Sequence, residues 1–246
     1  MQNSKERKNW ELFFNITFYP VHMDDIHRFA QGLRMRQVDM IQDGIAGSSA
    51  TLSKMSKRLR KRCNKSMKKY SRRGQRVGGI NAVVHIDESK FCHKRKYARD
   101  RVGNTWRRRT WVFGILESRG DSRRPVLRLV KRRNKQTLLP IIKQHVRPQS
   151  VIISDEWRAY STLSQVGYVH HTVNHSVNFV DLVTGNHTQH IERAWNTYKH
   201  EVWRLRGNRN EKALKDQLLF IEWTYWLGRK HRKGVLGRLL KDIRVE

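Results

Sequence analysis

Apolar positions recur every three or four residues through the first third of the chain and fall into short continuous or alternating blocks thereafter. His22–Leu33 and Met35–Ile45 carry two short helical patterns, and Gly44, Gly47 and Ser48 break the chain after the second. A third helix is predicted over Ser49–Met67, with Ser48 or Ser49 as its cap. Its apolar residues Leu52, Met55, Leu59 and Cys63 make one stripe, while Lys54, Lys57, Arg58, Lys61, Arg62 and Lys65 fall on the other faces. One stripe docks such a helix on its neighbours and leaves a basic face outward, the arrangement of a helix-turn-helix reader of the major groove. A plain amphipathic bundle helix has the same pattern. Residues 71–79 are polar, basic and glycine-rich, with almost nothing to bury, and read as a linker.

Beyond it the period changes. Ala82–Asp87, Thr110–Glu117 and Pro125–Lys131 read as strands, followed by a helix at Gln136–Val146 and a buried-type strand at Val151–Ser154. A short helix around Trp157–Gln165, a strand at Tyr168–Val173, a polar connection at Asn174–His187 and a long helix from Thr188 to Arg206 complete the series. Three strands, helix, strand, helix, strand, helix is the order of an RNase H-like domain. The expected class is therefore α/β: a mixed five-stranded sheet flanked by helices, preceded by a small helical DNA-binding region. The expected division is 1–76 for that region and its linker, 77–230 for the sheet domain and 231–246 for a basic tail. A last helix, Asn210–Leu227, holds Trp223, Tyr225 and Trp226, expected in the core or at a dimer interface.

Composition narrows the class of partner. The 246 residues include 52 Lys and Arg against 21 Asp and Glu, a formal charge of +31. Residues 1–80 carry 18 basic and 6 acidic side chains and residues 81–246 carry 34 and 15, so the charge is spread over the whole chain. A polyanion is the expected partner, since each phosphate neutralised releases counterions. Clusters at Lys57–Arg62, Lys94–Lys96, Arg107–Arg109 and Lys131–Arg133 are the candidate contacts, with Arg107, Arg108 and Arg109 placed near the active edge of the sheet. The apolar runs are too short to span a bilayer, and no segment of signal-peptide type is present at the start, so no membrane partner is expected. Cys63 and Cys92 are too far apart for a C-x-x-C thiolate site, and His170, His171 and His175 have no thiolate beside them.

The candidate chemistry lies at strand ends. Asp87 closes the first predicted strand and Asp155 follows the fourth; in an RNase H-like sheet these strands are neighbours. On the long helix Ile191, Trp195, Tyr198, Val202 and Leu205 form an apolar stripe, and Glu192 and Lys199 stack beside it, seven residues apart. Breaking or transferring a phosphodiester requires an activated oxygen and a stabilised leaving oxygen, and two Mg²⁺ ions held by carboxylates supply both. Asp87 is expected to bridge two ions, with Asp155 and Glu192 each holding one; Mn²⁺, which also prefers oxygen, is expected to substitute. Single acids at such places are commonly caps or ion-pair partners. Glu88 and Glu156, next to the aspartates, are expected to point away from the site. His187 and His190 either face a phosphate, orient an acid or simply begin the helix. Trp157 and Trp195 are expected in the core, with stacking on a flipped base as the alternative.

The segments His85-Ile86-Asp87-Glu88-Ser89-Lys90-Phe91, Ser154-Asp155-Glu156-Trp157-Arg158-Ala159-Tyr160, Val173-Asn174-His175-Ser176-Val177-Asn178-Phe179-Val180-Asp181 and His187-Thr188-Gln189-His190-Ile191-Glu192-Arg193-Ala194-Trp195 resemble the blocks of Merlin-type transposases. These are cut-and-paste transposases related to a group of bacterial insertion sequences, and the resemblance covers roughly residues 45–230. It implies a catalytic triad at Asp87, Asp155 and Glu192, with the family's basic residue at Lys199. It further implies binding to double-stranded terminal inverted repeats, cleavage, direct transfer of the 3′-hydroxyl to target DNA, and a dimer or larger assembly on DNA. Bacterial relatives often begin with a zinc ribbon; this sequence has none, so end recognition is expected from the helical N-terminal part. A eukaryotic nucleus is the implied location, and Lys57–Arg62 is a basic run of the nuclear-import kind. The competing readings are a domesticated DNA-binding protein without catalysis, or another RNase H-like nuclease.

Overall fold

The computed structural model describes residues 26–30, 32, 37–80, 82–91, 110–120, 122–173, 189–203 and 210–244. They fall into two compact units, one drawn from Met1–Tyr70 and Trp223–Glu246, the other from Ser71–Glu222.

In the first unit, residues 26–30 are helical, α1 spans Gln37–Gln42 and α2 spans Ser49–Ser71. The Ser48 hydroxyl accepts from the backbone N–H of Thr51, which satisfies one of the free donors at the start of α2. One face of α2 buries Leu52, Met55, Leu59, Cys63, Asn64 and Met67, and Leu52 joins Met40 and Ile45 in a small cluster under the α1–α2 turn. The segment 231–246, expected as a tail, contains the helix Gly234–Arg244. Its Arg238 and Asp242 both bond the Ser66 hydroxyl of α2, at 2.7 and 3.0 Å, and Asp242 accepts from the indole of Trp223 at 2.7 Å. Trp223, Tyr225 and Trp226 are all buried.

The second unit is built on a five-stranded sheet. β1 is Val83–Ser89, β2 Trp111–Arg119, β3 Ser122–Val130, β4 Val151–Ser154 and β5 Val169–Thr172, in the order β3-β2-β1-β4-β5. β1 pairs antiparallel with β2 and parallel with β4; β2 and β3 form an antiparallel pair, and β4 and β5 a parallel one. This is the RNase H-like core expected from the element order. α3, Lys135–His145, connects β3 to β4, with the Asn134 side chain accepting from the backbone of Thr137 at its start. α4 is Gln189–Trp203, and α5, Glu211–Trp223, begins in this unit. We denote the Gly234–Arg244 helix of the first unit α6. The central strand β1 is covered on both faces and buries Val84, His85, Ile86, Glu88 and Ser89.

Two expectations are corrected. The Trp157–Gln165 segment is not one helix but two single 3₁₀ turns, Arg158–Tyr160 and Ser164–Val166, stopped by Gly167 in the left-handed region. The end of the supposed linker is part of the sheet unit: Val77 bridges to Val146, and the N–H groups of Gly78 and Gly79 donate to Glu117 and to Ser150 Oγ. Gly78 has φ +86°, and a Cβ there would collide with Ser150 Oγ. Glycine is used at this point for close approach of the backbone.

Candidate active site

The parallel register of β1 and β4 sets the site. Val83 lies opposite Val151 and His85 opposite Ile153, and Asp87 and Asp155 each follow this last pair by two residues, toward the same end of the sheet. Asp87 lies within β1, two residues before its end, and Asp155 is the first residue after β4. Both aspartates are half-buried. The Asp155 carboxylate accepts from the backbone N–H of Trp157 at 3.1 Å, which turns the chain sharply out of the strand.

Asp87 is held from two directions. Its Oδ1 accepts from the backbone N–H of Glu88 at 2.7 Å, and its Oδ2 accepts from the indole N–H of Trp195 at 2.8 Å. Trp195 is 4% exposed, as expected of a core residue. Its ring meets Phe91 edge-on at 5.8 Å and lies against Gly114, the β2 residue directly opposite Asp87. A Cβ on Gly114 would sit 2.6 Å from the ring's Cζ2, so a bare glycine is what lets the indole reach the aspartate. The bond ties α4 to β1. Glu192 stands one turn before Trp195, exposed, and Lys199 one turn after it, half-buried. Among the described residues no group of three His, Cys, Asp and Glu side chains is gathered closely enough to hold a metal ion. Asp87 and Asp155 are thus brought to the same end of the sheet, whereas Glu192 is carried on the attached helix and is not drawn into a cluster with them.

Glu88 follows strand alternation and faces away from Asp87. It is buried, accepts from the Tyr160 hydroxyl and lies 3.8 Å from Arg133. Burial pushes its pKa up to about 7; the Tyr160 bond and Arg133 oppose the rise, and the charges of Asp87 and Asp155 add to it. Tyr160 is pushed above its ordinary value by burial and by the same carboxylate. The network spans β1, the 3₁₀ turn after β4 and the residues after β3, and was not legible as a unit in the sequence. His190 packs edge-on to His85 at 5.3 Å and contacts Arg123 at 3.1 Å. Glu156 is exposed, and His170 bonds the Ser154 hydroxyl at 2.9 Å. Arg107, Arg108, Arg109, His175 and His187 lie outside the described residues.

Trp157 corrects the expectation of a core residue: it is 41% exposed. It follows β4 by three residues, where the strand has already left the sheet. On the first unit, Lys54, Lys57, Arg58 and Lys61 are exposed along α2 and Arg62 is half-buried, on faces away from the apolar stripe. Among the described residues no helix is long and apolar enough to cross a membrane.

An RNase H-like sheet with acids toward the carboxyl ends of its central parallel strands fits the class of nucleases and recombinases. Residues 77–205 match the model of the ISXO2-like transposase domain, and the chain belongs to that family of DDE-type transposase domains, which is related to the Merlin group. An uncharacterized transposase-like protein of Haemophilus influenzae is 34% identical over 110 residues, covering 44% of this chain and 87% of that protein. Two solved structures share a looser likeness. One is a simian T-cell lymphotropic virus intasome bound to a PP2A regulatory subunit, B56 gamma, with TM-score 0.37 and 15% identity over 68% of this chain. The other is the Mos1 strand transfer complex, with TM-score 0.26 and 11% identity over 92% of this chain and 77% of its own. The present chain spans 57% of the intasome chain it matches.

Proposed function

We propose that the protein is a cut-and-paste DNA transposase of the Merlin type. It binds the terminal inverted repeats of its element, cleaves the end by hydrolysis and joins the freed 3′-hydroxyl to target DNA. The observation that supports this reading is the parallel pairing of β1 and β4, which carries Asp87 and Asp155 toward the same end of the sheet, in a chain whose family is one of DDE-type transposase domains.

In this reading Asp87, Asp155 and Glu192 are the catalytic carboxylates and would hold two Mg²⁺ ions. The donor set fits: all three are hard oxygen ligands, and Mg²⁺ prefers oxygen and shares its shell with substrate phosphate. The ions, when bound, activate the attacking oxygen and stabilise the leaving oxygen. Trp195 fixes the side chain of Asp87, and α4 positions Glu192 and, one turn beyond Trp195, Lys199 for the DNA backbone. The basic face of α2, with Lys54, Lys57, Arg58, Lys61 and Arg62, contacts the repeat, and Arg107, Arg108 and Arg109 contact phosphate near the cleaved strand. Two ends have to be held together, so the working form is a dimer or larger assembly on double-stranded DNA. The nucleus is the proposed location, with residues 57–62 serving import as well as DNA contact.

The test is Asp155→Asn. Nicking of repeat-end DNA in Mg²⁺ should disappear while binding to the same DNA survives; Mn²⁺ should restore wild-type turnover after metal removal, and Ca²⁺ should support binding alone. Nicking near the wild-type rate in the variant overturns the assignment. Wild-type protein that nicks ends and never joins them to target DNA belongs instead with the other RNase H-like nucleases.

A further inference from the structure

Four of the five strands bring a cationic or aromatic side chain to the end of the sheet where Asp87 and Asp155 lie. β1 runs toward that end and is followed by Lys90. β2 runs the other way and begins there with Trp111, since Ser89 pairs with Val112. β3 ends there, with Val130 opposite Trp111, and Arg133 follows. β4 is parallel to β1 and is followed by Asp155 and then Trp157. The side chains meet: the Arg133 guanidinium lies 3.9 Å from the ring centre of Trp111 and 4.8 Å from that of Trp157, and the Lys90 ammonium lies 4.5 Å from Trp111.

Trp157 differs from its neighbours in this row. The other large apolar side chains exposed among the described residues, Val38, Ile80 and Val169, are aliphatic and stand elsewhere. The Trp157 indole N–H donates to the Arg133 backbone carbonyl at 2.8 Å, so the ring is oriented and its one polar group is already satisfied. Arg133 is in turn held near buried Glu88, which Tyr160 anchors. The ring is therefore fixed before any ligand arrives, and ordering it costs little on binding. Exposing that much aromatic surface is unfavourable in water. A flat, pre-oriented ring with cations beside it suits another flat π-system attached to an anionic backbone.

We propose that Trp157, backed by Arg133, is a stacking platform for an unpaired DNA base next to the phosphate at Asp87 and Asp155. Bases inside an intact duplex have both faces covered by their neighbours, so the platform takes a base that has left the stack, as at a frayed or newly cut strand end. Exposed Lys90, Lys131 and Arg132 at the same sheet end hold the backbone of that strand. The placement beside a scissile phosphate rests on the function proposed above; the stacking itself does not.

The experiment uses the full chain without divalent metal, so that binding is read apart from cleavage. Two duplexes of equal length are compared, one fully paired and one with a three-nucleotide unpaired end containing 5-iododeoxyuridine. Wild-type protein should prefer the unpaired end and photocrosslink to it at Trp157, located by mass spectrometry. Trp157→Ala should lose about 5- to 150-fold in affinity for the unpaired end, since stacking on one base is worth about 1–3 kcal/mol, and little for the paired duplex. Trp157→Phe, which lacks the indole N–H but keeps an aromatic face, should retain most of the preference. Equal losses on both duplexes, no preference in the wild type, or a crosslink that maps elsewhere would overturn the proposal. A chain that passes these arms and yet never nicks DNA refutes the transposase reading and leaves the platform standing.

Discussion

The sheet unit holds acids of two kinds. On one side Glu117 and Glu222 are almost fully buried, and each is matched to an arginine: Glu117 to Arg124 at 3.1 Å and Glu222 to Arg128 at 2.5 Å. Each also accepts a backbone N–H, from Gly78 and from Leu127. Burial still raises the pKa of Glu222, with Arg128 and the Leu127 bond opposing it. Toward the carboxyl ends of β1 and β4, by contrast, Asp87 and Asp155 are half-buried, and the contacts described for them are N–H groups that orient a carboxylate. A buried acid with its own arginine fastens a strand. Acids carried toward one end of a sheet and oriented there by N–H groups are placed to offer their oxygens to a ligand. The first kind is read as structure and the second as chemistry.

Three further measurements probe this contrast. The largest effect on stability is expected from Arg128→Ala, which leaves the buried Glu222 carboxyl without its guanidinium partner. Removing one partner of such a pair costs about 3–5 kcal/mol, which urea unfolding at pH 7 will report; a loss near zero would place Glu222 among the dispensable acids. Gly114→Ala comes next. Its methyl group meets the Trp195 ring, and overpacking of that sort costs about 1–3 kcal/mol. Because the same ring orients Asp87, nicking should fall further than the lost stability explains, and unchanged nicking would remove Trp195 from the positioning of Asp87.

The smallest effect concerns His145. Burial lowers its pKa to about 4, with Arg128 and Arg76 adding repulsion, and its Nε2 accepts from Arg128 Nε at 3.3 Å. In the unfolded chain the ring takes its proton near pH 6.5. As pH falls from about 6.5 through 4 the unfolded state binds a proton that the folded state declines, so this ring's contribution to stability falls with pH; above 6.5 it is flat. His145→Gln should flatten the slope of the melting temperature against pH between 4 and 6.5, and an unchanged slope would assign the acid sensitivity to other groups.

The sequence by itself determined what depends on near neighbours in the chain. Alternation and apolar runs located all five strands within three residues of their observed ends, and Val151–Ser154 without any shift. The stripe of α2 and the cap at Ser48 follow from spacing alone, as does the burial of Trp195 on the sheet-facing side of α4. Asp155 could be placed directly after a strand because a strand's period is local, whereas Asp87, expected to close its strand, lies two residues inside β1. What only the tertiary structure decided depends on strand order and register, which join residues far apart in sequence. Those alone put Asp87 and Asp155 at the same end of the sheet, Gly114 under Trp195 and Glu222 on the Arg128 side chain. They also turned Gly78 and Gly79 from an apparent linker into part of the sheet unit. Local polarity marks a glycine-rich segment as soluble, but whether its N–H groups find partners depends on what lies opposite. Trp157 is the sharpest instance. Nothing in its neighbours along the chain distinguishes a buried tryptophan from an exposed one, and its exposure arises because β4 stops at Ser154 and the chain turns out of the sheet before the ring can be covered.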